Sequence, residues 1–420
     1  MRELPKDDTG AEIQPPQVAA DLTRTGTLTT QVRRYELITP LFGGGVEPGA
    51  NDPEMLIRGT SVRGQLRFWW RACRGGGFGG NRARMKEAED RLWGAASTPR
   101  RPRPSEVQVE VKVTDVGQEE QPFQHGTRPN QQWRDVAYAA FPLQGTNERP
   151  TPGRVRSGVA FTLTLVFPRA AQADVEAALW AWETFGGIGA RTRRGFGALR
   201  LMSVDGAAVT PPPTGGVAAG IAAGLTSHVS AGLWPNDVPH LDRAVVRKIK
   251  GMYNSPREAW GFLTRQLKAF RQVRYPGSAP PAPGRSKWPE PDEIRRQTGR
   301  VCLKHATPRS TVTKFPRAEF GLPIIFHFKD EGLGDPHDTS LEGRDYDRLA
   351  SPLILRPLAC ANGKAVALAV VLQGTQLPAL QLKGAPGNPT VHADLTATEA
   401  AAIPPLGGTP DVLAAFLNSL

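Results

Sequence analysis

In "EVQVEVKV", residues 106–113, every second position is apolar, and that period-two alternation predicts a half-buried strand. "TTQVRRYELITPLF", from residue 29, mixes β-branched and aromatic residues with polar ones and predicts another strand, as do "GVAFTLTLVFP" and "GALRLMSV". Elsewhere the period lengthens. "SVRGQLRFWWRAC" and "QADVEAALWAWETFGG" space their apolar residues as helices do; Thr60 or Ser61 is the expected cap of the first, and glycines close the second. "KEAEDRLWG" predicts a short helix ended by Gly94. The order β-α-β-β-α-β over residues 29–206 is that of a ferredoxin-like unit.

Residues 1–28 read as a flexible tail and 207–220, "AAVTPPPTGGVAAG", as a linker. Residues 221–420 predict a second α+β domain whose topology the pattern leaves open. "SPREAWGFLTRQLKAFRQV" is its clearest helix, and "EFGLPIIFHF", "SPLILRPLAC" and "KAVALAVVLQG" are its strands. The segment 275–291, "YPGSAPPAPGRSKWPEP", is expected to be a mobile proline-rich loop, and "DRAVVRKIKG" a solvated helix face.

Charge changes the picture. The 420 residues carry 52 Lys+Arg against 40 Asp+Glu, a net charge of +12, which suits a polyanionic partner. Twelve of the basic residues are lysines and 40 are arginines, whose planar fork matches phosphate. Cys73, Cys302 and Cys360 stand far apart, with no CxxC pair, so neither a zinc site nor a disulfide framework is expected. The polar start and the lack of a long apolar run give no reason to expect export or a membrane span, and a cytoplasmic setting fits.

Three segments concentrate candidate chemistry. From Met55 to Lys86 there are eight basic residues and no acid. On a helix, Arg63, Arg67, Arg71 and Arg74 form one stripe while Leu66, Trp69 and Cys73 face elsewhere, so the helix has an apolar face and a cationic ladder. Arg58 and Ser61 flank its N-terminus, where free N–H groups favour phosphate. A solvated basic face is the plain alternative. The second segment, "GGIGARTRRGFGAL" (186–199), combines Arg191, Arg193 and Arg194 with Gly195 and Gly197 and can wrap a nucleic-acid backbone. The third, "PLFGGGVEPGANDP", offers Gly43 and Gly44 for close approach, and Asp52 as a candidate general base or metal ligand that is more simply a turn residue. The seven histidines show no metalloprotease spacing, and His337-Asp338 is an isolated pair.

The strand end "TPLFGGG", the helix "IRGTSVRGQLRFWWRA" and the loop "GGIGARTRRGFGAL" together resemble the RAMP superfamily of CRISPR effector proteins, and more narrowly the first-named subunits of type III-B (Cmr) complexes. "EDRLWG", "AEFGLP" and "DRLASPLILRP" resemble further elements of the same family. The resemblance implies two ferredoxin-like, RRM-related domains with long insertions and an RNA-binding rather than catalytic subunit without cofactors. It also implies a place near the guide 3′ end of an antiviral ribonucleoprotein. Guide (crRNA) and target RNA and the other RAMP subunits would be its partners. The rival reading is a RAMP-type endoribonuclease working through Asp52 or a histidine.

Overall fold

The computed structural model describes residues 27–45, 49–96, 104–147, 149–277 and 283–420. Nearly all of the predicted tail, 1–28, lies outside them. The chain opens with β1 (Leu28–Leu37), β2 (Leu41–Phe42), α1 (Gly59–Arg74), α2 (Arg82–Trp93), β3 (Gln108–Asp115), β4 (Gln118–Glu120) and α3 (Ala137–Ala140). There follow β5 (Val155–Ser157), β6 (Ala160–Pro168), α4 (Gln172–Phe185), β7 (Leu199–Val204), β8 (Ala207–Ala208) and α5 (Val217–His228).

The main antiparallel sheet of this half has the order β3-β6-β1-β7-β8. Four of its strands, β1, β3, β6 and β7, fall on segments predicted as strands, and the inward residues of β6, Phe161, Leu163, Leu165 and Phe167, are fully buried. α1 and α4 cover this face through Val62, Leu66, Trp69, Val175 and Trp182. Between β3 and β6, the strands β4 and β5 join β2 in a small sheet, β2-β5-β4, beside a core of Phe123, Trp133 and Leu143.

The second half contains β9 (His240–Lys248), α6 (Pro256–Arg271), β10 (Arg274–Pro276), β11 (Pro283–Ser286), α7 (Glu290–Thr298), β12 (Ile324–Phe326) and β13 (Thr339–Gly343). It ends with β14 (Leu353–Ala359), β15 (Ala365–Gln373), β16 (Leu380–Lys383), β17 (Thr390–Val391), α8 (Ala397–Ala401) and α9 (Val412–Asn418). Its three-stranded sheet, β14-β15-β9, lies between two helical layers. Ile354, Val366, Leu368 and Val370 join the core shared with α1 and α4, whereas Leu353, Leu355, Ala367 and Ala369 face the core around α6 and α9. Burial on both faces explains why "LILRPLA" and "AVALAVV" are apolar almost without alternation. A separate sheet, β12-β13-β16-β17, has its own core around Phe315, Leu341 and Leu382. The protein is thus α+β throughout.

Four expectations differ from the outcome. α1 begins at Gly59 with Arg58 at the cap position and no capping bond from its side chain, so neither Thr60 nor Ser61 caps it. "DRAVVRKIKG" is mostly the strand β9, because the alternation around Ala244 and Val246 outweighs its charge. The segment read as a linker holds β8 and the start of α5, which packs on α4 with His228 stacked on Trp180 at 5.1 Å. The start of the proline-rich segment, in β10, pairs with β11 inside it, and α7 starts within it at Glu290.

Candidate nucleic-acid interface

The two glycine-rich loops meet. Ala190 N–H donates to the Phe42 carbonyl at 2.7 Å and Gly197 N–H to that of Pro40 at 2.9 Å. A Cβ on Gly43 would stand 3.2 Å from Ala190 Cβ, and one on Gly44 would stand 3.8 Å from the Leu56 carbonyl just ahead of α1. Gly43, Gly44, Gly195 and Gly197 all have positive φ, which suits glycine at each. Arg193 lies over the Phe68 ring of α1 at 5.3 Å. Three segments distant in sequence are therefore neighbours.

The acids that the 55–86 window lacked come from the next helix. Arg67 pairs with Glu89 at 2.8 Å and donates to the Gly94 carbonyl at 2.9 Å, and Arg71 also bonds Glu89. Glu89 is 1% exposed, so these arginines compensate a buried charge. Arg74 pairs with Asp174 at 3.1 Å, at the start of α4. In the predicted ladder Arg63 alone has a guanidinium with no partner among the described residues, and its Nε is buried without one. Gly64 beside it borders open space, where a Cβ would meet nothing within 4 Å. Ser61 is exposed at the helix start.

Asp52 is fully engaged. One carboxylate oxygen accepts from Glu54 N–H (3.0 Å) and Met55 N–H (2.9 Å), and the other accepts from Arg58. Those donors hold its pKa down at about 2. Such a carboxylate ties the loop to the start of α1 and is a poor general base.

The arginines of the second loop differ in role. Arg194 donates to the carbonyls of Leu353 (2.9 Å) and Phe320 (3.3 Å), and Arg193 to that of Ser351. Both reach across to the second half and meet no carboxylate among the described residues; burial pulls Arg193 down to about 10 and Arg194 to about 9. Arg191, at φ +57°, has an unpartnered Nε and lies over the exposed Phe141 ring at 4.7 Å. Nearby Arg271 of α6 bonds the Tyr138 hydroxyl at 3.1 Å and covers the Phe320 ring at 5.2 Å, again without a carboxylate among the described residues. Sequence reading missed Arg271, Tyr138 and Phe141, whose only signal was their chemistry. Glu89 and Asp90 were visible three and four residues past the basic window and would have been found by pairing the two helices.

Elsewhere, Cys302, His305, Asp330 and Asp335 bring metal-ligating atoms within 4.8 Å of one another. Arg295 at 2.9 Å from Asp335 and Lys304 at 2.7 Å from Asp330 already supply the cations there, so the cluster reads as a polar staple. His337 and Asp338 bond to Glu331 and His327 separately and form no joint site.

A helix-covered antiparallel sheet whose last strand is entered through a glycine-arginine loop, paired with a second glycine loop at the first strand's end, is the frame of a RAMP-type protein. The sequence model of the RAMP superfamily matches residues 34–200. The chain is 30% identical over 188 residues to the CRISPR system Cmr subunit Cmr1-2 of Pyrococcus furiosus, a match spanning 40% of this chain and 92% of that protein. It is 24% identical over 282 residues to Cmr1-1 of the same organism, spanning 66% of this chain and 72% of that one. The crystal structure of Cmr1 from Pyrococcus furiosus in its apo form shares the fold, with a TM-score of 0.50 at 17% identity over 83% of this chain and 89% of that one. The chain belongs to the RAMP superfamily, in the family of the Cmr1 subunits.

Proposed function

We propose that this protein is a non-catalytic, RNA-binding subunit of a type III-B CRISPR effector, holding guide or target RNA by its backbone and joined to other RAMP subunits in the cytoplasm. The observation that carries the reading is the set of cations without carboxylates among the described residues around the joined glycine loops: Arg63 on α1, Arg191 in the loop and Arg271 on α6. Each is left a donor-rich charge that a phosphate would complete. Arg58, Arg67, Arg71 and Arg74 contribute to the field but are held by acids. Arg193 and Arg194 set the loop's position; of the four glycines Gly44 is exposed and can bring backbone to a ligand, whereas Gly43, Gly195 and Gly197 are buried and let the two loops pack closely. Backbone contact suits a subunit that must accept any guide sequence.

The same reading treats both halves as ferredoxin-like units, the second with no fourth strand among the described residues. In β14-β15-β9 the strands fall in the order two-three-one of such a unit, as β3-β6-β1 do in the first. Residues 29–206 and 221–420 would then be two domains fused through a common core.

The test is the salt dependence of single-stranded RNA binding. Arg63→Ala with Arg191→Ala is expected to flatten the slope of log affinity against log salt by about 0.7 for each phosphate no longer neutralised. An unchanged slope would remove this face from the site. Cleavage of labelled RNA that Asp52→Ala abolishes would replace the binding role with a nuclease.

A further inference from the structure

A groove of about 620 Å³ opens in the second half between the end of α6, the β10–β11 ladder, α7 and the chain that follows β12. Its acids are spent. Asp292 pairs with Arg285 and with Arg295 at 3.0 Å, Asp335 with Arg295 at 2.9 Å and Asp330 with Lys304 at 2.7 Å. The fully buried Glu290 behind it pairs with Arg317 at 3.0 Å. Three lining cations remain without a carboxylate among the described residues. Arg271 bonds the Tyr138 hydroxyl, Arg274 bonds the Gly284 carbonyl at 3.2 Å, and Lys329 is exposed and makes neither kind of bond. The groove therefore favours an anion, with positions for more than one charge.

Its walls are also planar. Arg295 lies over Phe328 at 5.2 Å and Arg317 over Phe326 at 5.4 Å, while the His327 side chain beside them is 71% exposed. Just outside, Lys287 and Arg309 lie over Tyr275 at 5.5 and 5.7 Å. Guanidinium and aromatic planes next to unneutralised cations match a ligand that alternates phosphates with flat bases. The volume suits a ligand of nucleotide size. Arg271 belongs to both places: it covers Phe320, whose carbonyl accepts from Arg194 of the glycine loop.

We infer that this groove is a second seat for single-stranded RNA, taking one or two nucleotides of a strand that leaves the glycine loop past Arg271. Arg274 and Lys329 hold its phosphates, and His327 and Phe328 face its bases. The inference rests on the RNA-binding reading above but concerns different residues.

The experiment uses the full chain and two fluorescein-labelled single-stranded oligoribonucleotides, a short one that fills only the glycine-loop site and a long one that spans both. Arg274→Glu with Lys329→Glu alters two exposed side chains that hold no acid, so folding is expected to be retained and circular dichroism checks it. Affinity for the long RNA is expected to fall by about tenfold or more, with the short RNA unaffected. A photo-reactive nucleotide in the long RNA is expected to crosslink to the 325–329 segment, and Phe328→Ala to weaken that crosslink. Unchanged affinity for the long RNA, or an equal loss for both lengths, would overturn the groove while Arg63→Ala with Arg191→Ala still reports on the first site. Failure of the unaltered protein to bind either RNA would instead overturn the RNA-binding reading itself.

Discussion

The guanidinium of Arg356, on β14, donates a 2.7 Å hydrogen bond to the carbonyl oxygen of Leu199 at the start of β7. A second bond, at 3.2 Å, reaches the Trp182 carbonyl at the end of α4. Arg194 returns the arrangement from the first half to the second, through the carbonyls of Leu353 and Phe320. The halves are thus cross-tied by arginines bound to backbone rather than to acids. Arg356 is 1% exposed, and desolvation lowers its pKa to about 9. Truncation by Arg356→Ala takes the side-chain donor from the Leu199 carbonyl, while that of Trp182 keeps the Gly186 N–H at 2.9 Å, and it opens a cavity, so a loss of about 3 kcal/mol is expected in urea unfolding. Arg356→Met, which refills the volume, is expected to lose less.

Arg63 and Arg67 should separate binding from folding. Arg67→Ala with Arg71→Ala strands the buried Glu89, and a loss of about 3–5 kcal/mol is expected, visible as a lower midpoint in denaturant. Arg63→Ala removes no ion pair, so stability should stay within about 0.5 kcal/mol while RNA affinity falls. An RNA defect in the first variant alone would be a folding effect.

Glycines give a second contrast. Gly197 has φ +58°, and a Cβ there would lie 1.9 Å from the Ile188 carbonyl. Gly197→Ala is therefore expected to lower the melting temperature and disturb both glycine loops. Gly64 lies in the middle of α1 with open space beside it, so Gly64→Ala should raise stability by about 0.5–1 kcal/mol. Lost RNA affinity in that more stable variant would show that a ligand uses the gap.

Glu319 sets a pH dependence. Burial, with Asp411 and Asp394 nearby, pushes its carboxyl up to about 7, although the Val412 and Leu413 amides pull the other way. The folded protein then holds a proton that the unfolded chain releases above about 4.5, so this group's contribution to stability declines as pH rises from about 4.5 to 7. Glu319→Gln cannot ionise and still accepts from Val412 N–H, which lies 3.1 Å from the native oxygen. Relative to the unaltered protein it should gain stability progressively across that window, read as a growing difference in thermal midpoint. A difference that is constant with pH would contradict the shifted carboxyl.

Arg33 tests the first sheet. Its guanidinium meets Glu183 at 2.9 Å and Glu176 as well, and Tyr35 donates to Glu183 at 2.6 Å. Arg33→Met leaves Glu183 without its cation, and about 3–5 kcal/mol of destabilisation is expected by calorimetry or denaturant titration.

The sequence by itself determined the elements whose pattern is local. "EVQVEVKV" and "GVAFTLTLVFP" alternate because one face of each strand meets the core, and the 3.6-residue spacing of Val62, Leu66, Trp69 and Cys73 marks the buried face of α1. The glycines of both loops were legible as well, since positive φ leaves a compositional trace. Tertiary structure alone decided which arginines are free. Arg63 and Arg67 are chemically identical on one helix, yet Glu89 of a neighbouring helix neutralises Arg67, while Arg63 has no partner among the described residues. It also turned Arg193 and Arg194 from exposed charges into ties across the seam, and made "LILRPLA" a strand buried on both faces. Charge, unlike periodicity, takes its meaning from what lies within a few ångströms, and that distance is set only when the chain has folded.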